Sequence, residues 1–340
     1  MSTTLRVTPG RGHLTVKPSP VKPRLYRHPH GIFAVDAEYL YPGHAAAHLI
    51  VDGGRAAFVD VGTNFSVPYL LAALAELGIA PAAVDYLLLT HVHLDHAGGA
   101  GALMRELPNA TAVLHPRGAP HMIDPAKLMA GARAVYGQRL QELYGELVPI
   151  PAARVRVAED GARLPLGGRS LELLHTPGHA LHHFVVVDEA HRSIFSGDTF
   201  GISYRALDTA QGNFITPTTP PSQFDPEQHV ASIDRMLGYQ PESIYLMHFS
   251  RVTGIPRLAA SLKEQIRELA AIARAHAADR DPSAAIRADM LALWRALAKD
   301  HGCRLSDSEL EHAFDGDLTL NTQGLMAWLA RIGELGGARR

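Results

Sequence analysis

The chain is 340 residues long, 46% hydrophobic and 19% charged, which excludes a wholly disordered protein and allows one large domain with an appendage or two domains. Its net charge of -2 gives no global field for nucleic acid or an anionic membrane, and its one cysteine, Cys303, excludes an intrachain disulfide and a thiolate metal site. No apolar stretch reaches membrane-spanning length and residues 1–23 lack the apolar core of a secretory signal, so a soluble, cytoplasmic protein with no membrane partner is expected.

Residues 1–24 carry Pro9, Pro18, Pro20 and Pro23 among basic residues, ahead of the first acid, Asp36, and read as an arm. Short β runs follow at 32–35, 47–51 and 56–59, with Gly53-Gly54 as a hairpin turn between the last two. Leu70, Leu71, Leu74 and Leu77 recur at helical spacing and predict a helix over 67–77, stopped by Gly78. A strand over 84–89, a helix through Leu103 and Leu107, and a strand over 111–115 continue the alternation that defines an α/β core. Residues 120–151 form a helical insertion rich in Met and Tyr, either a packed ornament or a cover over a cleft. Strands resume at 154–157, 170–174, 184–187 and 193–195, then a helix over 226–237 and a last strand over 243–247. Beyond Pro256 the pattern is helical: 258–277, 284–299, a start capped by Ser306 with Glu309, and 322–332. Three regions result: the arm 1–24, an α/β domain 25–256 containing the insertion at about 120–151, and a small all-helical region 257–340. Its long apolar helices have no evident partner within the chain, which points to a homodimer.

The chemistry gathers at strand ends. Thr90-His91-Val92-His93-Leu94-Asp95-His96 follows the run Val84-Asp85-Tyr86-Leu87-Leu88-Leu89, placing an H-x-H-x-D-H array where a buried strand enters a loop. Imidazole and carboxylate together suit Zn, Mn or Fe. Three further groups emerge the same way: His179 in Thr176-Pro177-Gly178-His179, Asp198 in Ser196-Gly197-Asp198-Thr199, and His248 after Leu246-Met247.

With these motifs the chain resembles the metallo-β-lactamase fold superfamily of binuclear metallohydrolases over residues 31–248. The resemblance implies an αββα sandwich with metals in a cleft at its edge. It further implies that His91, His93 and His179 hold one metal and that Asp95, His96 and His248 hold a second. Asp198 would bridge the two, and Asp60 would support the ligand loop without touching metal. The implied cofactors are two divalent ions per chain, Zn preferred, with Mn or Fe as alternatives. Two cations sharing a carboxylate lower the pKa of a bridging water, and the hydroxide attacks a carbonyl or phosphoryl centre. Asp95 would orient it and pass a proton to the leaving group.

The Ser-Gly-Asp setting of Asp198 resembles the thioesterase, lactonase and phosphodiesterase branches. His93 stands where flavodiiron oxygen reductases carry glutamate. The sequence His248-Phe249-Ser250-Arg251 departs from the lysine- and asparagine-containing signature of the glutathione-dependent glyoxalases. The layout of insertion and C-terminal helices is similar to that of quinolone-signal response thioesterases and acyl-homoserine lactonases. A hydrolase of a thioester, lactone or similar activated acyl compound, acting on a small-molecule substrate, is the leading reading. A phosphodiesterase or nuclease would bring basic and aromatic clusters, and this chain is 6% aromatic with dispersed basic residues. An iron-dependent sulfur oxygenase or a metal-dependent effector of the same fold completes the alternatives. Tyr204 and Arg205, close after Asp198, and His183, close after His179, are candidate substrate contacts; His182 and His115 are further histidines near the motifs.

Overall fold

The computed structural model describes residues 21–335 apart from Ser222, so all but the last four residues of the N-terminal arm lie outside it. Strands β1 (Leu25–His28), β2 (Ile32–Asp36), β3 (Ala46–Asp52) and β4 (Arg55–Val59) pair antiparallel in order, and β3 turns into β4 at Gly53-Gly54. Strands β5 (Val84–Leu89), β6 (Thr111–Leu114) and β7 (Val155–Val157) extend the same sheet in parallel. Parallel neighbours need crossovers, and helices supply them. The first is α1 (Val67–Glu76); the second holds α2 (Leu94–Ala97) and α3 (Ala100–Glu106); the third holds α4 (Ala119–Ile123), α5 (Ala126–Tyr136) and α6 (Leu140–Tyr144).

The second sheet runs β8 (Arg163–Leu166), β9 (Arg169–His175), β10 (Phe184–Asp188), β11 (Ser193–Gly197), β12 (Ser243–Leu246) and β13 (Ser250–Val252). Its pairs are antiparallel except β11 with β12, which α7 (Pro226–Leu237) connects. Helices α8 (Ile255–Ala275), α9 (Pro282–Asp300) and α10 (Asp307–Arg331) follow.

Side chains alternate across a strand, so each strand serves two cores. Ile50, Ala57, Val59 and Leu88 of the first sheet meet Leu171, Leu173, Phe184, Val186 and Phe195 of the second in the central layer. Their sequence neighbours Leu49, Phe58, Leu87 and Leu89 face outward against Leu70 and Leu74 of α1 and Leu103 of α3. Leu174, Val185, Val187 and Ile194 face outward from the second sheet into a cluster that includes α7, α8, α9 and α10. The order of layers is therefore helix, sheet, sheet, helix.

Three short strands escape the sequence pattern: β1 has exposed Tyr26, β8 contains Pro165, and β13 has only three residues. The expected break before 322 is also absent. Helix α10 runs unbroken through Asp315-Gly316-Asp317, because Phe314, Leu318 and Leu325 bury one continuous stripe. That stripe lies in the same cluster as Trp294 of α9 and the second sheet, so the C-terminal helices cover their apolar faces within the chain. The insertion packs Leu140, Tyr144 and Tyr136 against Tyr39, Leu94 and Met247, and so rests beside the neighbours of Asp95 and His248.

Candidate metal centre

Four strand ends converge. β5 delivers His91, His93, Asp95 and His96; β9, β11 and β12 deliver His179, Asp198 and His248. Their donor atoms form two groups, His91, His93, His179 and Asp198 in one and Asp95, His96 and His248 in the other, with all atoms of a group within 4.8 Å of each other. His93 Nδ1 lies 2.8 Å from His91 Nε2 and 3.2 Å from His179 Nε2. Asp198 faces both groups. Its Oδ2 is 3.5 Å from His179 Nε2, while its Oδ1 is 3.2 Å from His96 Nε2 and 3.8 Å from His248 Nε2. Asp95 Oδ2 closes the second group at 3.3 Å from His248 Nε2.

Glycines make the approach of these loops feasible. A Cβ on Gly178 would sit 2.2 Å from His229 Cα, and one on Gly197 would sit 2.5 Å from Thr90 Oγ1. Both have positive φ, at +131° and +47°, so a side chain is resisted by backbone and neighbour alike.

Four of the imidazoles are held from behind. His96 Nδ1 donates to Asp60 Oδ2 at 2.9 Å, and the same carboxylate accepts the Thr90 amide at 2.8 Å and the Thr90 hydroxyl. That hydroxyl in turn accepts from His91 Nδ1 at 3.1 Å. His179 Nδ1 donates to the Thr218 carbonyl at 3.3 Å and His248 Nδ1 to the His44 carbonyl at 3.0 Å. A proton fixed on Nδ1 leaves the Nε2 lone pair for the cleft, the arrangement that orients imidazole ligands on a cation.

Burial works against charge throughout the cluster. It holds His91 and His179 well below the usual imidazole value and His93 below it. Against the same burial, Asp198, Asp60 and Asp95 push His96 well above that value, and Asp95 and Asp198 raise His248. The imidazoles of His96 and His248 keep Asp95 below the ordinary carboxylate range, and those of His96, His179 and His248 keep Asp198 well below it, although burial pulls both up. The fit to cations rests on one further observation: His96 Nε2 and Asp198 Oδ1 are buried, meet each other as an ion pair at 3.2 Å, and neither has a hydrogen bond of good geometry. Orphaned buried donors and acceptors are rare, and a shared divalent ion relieves both.

The expected substrate contacts separate. Tyr204 lies beside the centre, buried, with its ring stacked on His44 at 5.4 Å. Arg205 is a correction: its guanidinium pairs with Asp208 at 3.1 Å and donates to the Ser203 carbonyl at 2.7 Å, so it is committed to its own chain. His183 is a second correction. It is fully buried; its Nε2 accepts the Asp198 amide at 3.3 Å and its Nδ1 donates to Thr176 Oγ1 at 2.9 Å, which leaves no nitrogen for a substrate. His182 is buried with an unpartnered Nδ1, 5.8 Å ring to ring from His93, and burial lowers its pKa to about 3. His115 packs against His175 at 4.1 Å and stands outside both groups.

Sequence reasoning passed over Tyr39 and the way three phenols meet. Tyr39 donates to Tyr144 at 2.9 Å and Tyr136 packs on Tyr144 at 5.1 Å. The Asp95 carboxylate adds to burial in raising all three phenols, so they stand on the Asp95 side of the cleft. Tyr136 and Tyr144 were legible as a hydrophobic wall; Tyr39 and His44 sit in a loop with no periodic signal.

A family model described as the metallo-beta-lactamase superfamily matches residues 40–248. A metallo-beta-lactamase fold-containing protein of Sulfurisphaera tokodaii is 31% identical over 48% of this chain and 60% of its own length. A hydroxyacylglutathione hydrolase of Xanthomonas campestris pv. campestris is 31% identical over 54% of each chain. An acyl-coenzyme A thioesterase of Gallus gallus is 29% identical over 49% of this chain and 62% of its own. The chain thus spans between about half and two-thirds of the length of these curated relatives. Among solved structures, a metallo-beta-lactamase family protein of Thermus thermophilus superposes with a TM-score of 0.62 at 21% identity, covering 89% of this chain and 94% of its own. A beta-lactamase domain protein of Burkholderia ambifaria gives 0.63 at 19% identity over 91% and 90%. The layered fold, the strand-end array of histidines and aspartates, and the matched span of residues 40–248 together identify the chain as a member of the metallo-beta-lactamase superfamily.

Proposed function

We propose that this chain is a binuclear metallohydrolase acting on a thioester, lactone or similar activated acyl bond of a small molecule. The carrying observation is Asp198, whose two oxygens face the two ligand groups separately. His91, His93, His179 and Asp198 would hold one divalent ion, and Asp95, His96, His248 and Asp198 the other, zinc being the best match to the His and Asp set. Ions bound there would supply Lewis acidity toward a carbonyl oxygen and a water acidic enough to ionise near neutral pH. Asp95 is the more exposed of the two carboxylates, its side chain 21% accessible against 7% for Asp198. It would orient the attacking water and carry its proton to the leaving group.

Acyl chemistry is favoured over phosphodiester chemistry by the walls of the cleft. Tyr39, Tyr144, Leu94 and Met247 form an apolar cluster next to the ligands, and the Arg205 guanidinium is paired with Asp208. The names of the hydrolase and thioesterase relatives point the same way. No helix among the described residues is long and apolar enough to cross a membrane. The test is turnover of a thioester, a lactone and a phosphodiester by metal-reconstituted protein, with Asp198→Ala as the blank. Cleavage of an acyl substrate, lost in the variant, is expected; cleavage of the phosphodiester alone, or of none, would overturn the reading.

A further inference from the structure

Helix α10 brings a carboxyl group to the edge of the metal centre. Asp317 is half-buried, and its hydrogen bond among the described residues is a long one, 3.4 Å from the Tyr204 hydroxyl to Oδ1. Tyr204 stacks on His44, whose carbonyl accepts the Nδ1 proton of His248, so the carboxyl is joined to the ligand shell through two intervening residues. The other acids of α10 all have nearby partners: Asp307 has Lys299, Glu309 has Ser306, Glu311 has Arg295 and Asp315 has Arg287. Asp317 makes no ion pair among the described residues, although the charge of His248 acts on it through space.

A carboxyl taken part-way out of water without a partner costs free energy, and nothing in the packing of α10 requires an acid there. Its neighbours Phe314 and Leu318 are fully buried core residues, so an apolar side chain would serve the helix as well. Burial raises its pKa to about 7, with the charge on His248 acting in the opposite direction. Tyr41, about half exposed at 48%, feels the same carboxyl and packs on His44 at 4.8 Å, which gives the site a solvent-facing aromatic edge. A cationic nitrogen is the natural complement: it would pair with the carboxylate while its carbon chain lies along the Tyr41 and Tyr204 rings.

We propose that Asp317 is a specificity-determining residue that binds a positively charged amine on the substrate, at the end remote from the bond that is cleaved. The inference rests on the acyl-hydrolase reading for the word substrate, yet the binding site it describes is measured without turnover. The probes are a chain-length series of ω-amino acids, each compared by calorimetry with the alkanoate of equal heavy-atom count on metal-loaded protein. Both members of a pair offer the same carboxylate to the metal centre and differ only in charge at the far end.

At one chain length the wild type is expected to bind the amino acid about tenfold tighter than the alkanoate, the scale of a charge-assisted hydrogen bond in a half-buried setting. Asp317→Asn, or Asp317→Ser if the first does not fold, is expected to bring the two within about twofold of each other. Tyr204→Phe is expected to keep most of the preference. Equal binding by the wild type across the series, or binding of neither probe, would overturn the proposal. So would a preference that survives in the Asp317 variants, or one lost as completely in Tyr204→Phe, since the carboxyl would then act through the phenol. The turnover panel and this series fail independently.

Discussion

Asp60 shows how much of a metal site lies behind its ligands. Its φ is +54°, an uncommon conformation for a residue with a side chain, and its carboxylate gathers Thr90 and His96 at once. Asp60→Ala should therefore keep the fold but let the imidazoles of His91 and His96 rotate. A fall in metal affinity of about 10- to 100-fold, measured by competition with a chromogenic chelator, is the expected outcome; unchanged affinity would show that the ligands need no support. A second buried imidazole lies close by: His48 of β3 and His28 of β1 both contact Ser250 Oγ, at 3.3 and 3.1 Å. Burial, reinforced by His28, lowers the pKa of His48 to about 3. In the unfolded chain a histidine takes up its proton near pH 6.5, so stability is present above that value and is lost as pH falls from about 6.5 toward about 3. His48→Gln should flatten that limb of the melting-temperature profile. A profile that stays parallel to the wild type would assign the acid sensitivity elsewhere.

At the scale of elements, the capping box of α10 offers a clean perturbation. Ser306 Oγ accepts the Glu309 amide at 3.3 Å and the Glu309 carboxylate accepts the Ser306 amide at 2.8 Å. Ser306→Ala should lower stability by about 1 kcal/mol in denaturant melts while metal content is unchanged; a coupled loss of metal would mean that α10 shapes the ligand shell itself. The insertion offers the complementary test. Because Tyr144 and Leu140 pack on Leu94 and Met247, Tyr144→Ala should raise KM for apolar acyl substrates more than it lowers kcat. Element identity was legible wherever periodicity was strong. α7 spans Pro226–Leu237 as its pattern predicts, and each ligand follows a strand because apolar β runs ending in His or Asp have few other readings. Strands β1 and β13 were not legible, since exposed or three-residue strands take their identity from the strand they pair with rather than from their own pattern.

For the whole molecule, the site exists because the two sheets face each other. The ligands after β5 belong to the first sheet and those after β9, β11 and β12 to the second, so a bound ion ties the layers together. Chelation should accordingly lower the melting temperature by several degrees, and re-addition of zinc should restore it. The seven histidines and aspartates that the structure gathers were readable from the motifs, because each needs only a local strand end. The surroundings were not. Asp317, 69 residues beyond His248, meets Tyr204 from α10, Tyr39 comes from a loop before the first crossover, and Arg205 and His183 are engaged by partners that no spacing reveals. The most direct test of the account is metal stoichiometry by elemental analysis of reconstituted wild type and Asp198→Ala. The shared carboxylate predicts about two divalent ions per wild-type chain and at most about one in the variant. A wild type that retains none, or a variant that retains as many as the wild type, would contradict it.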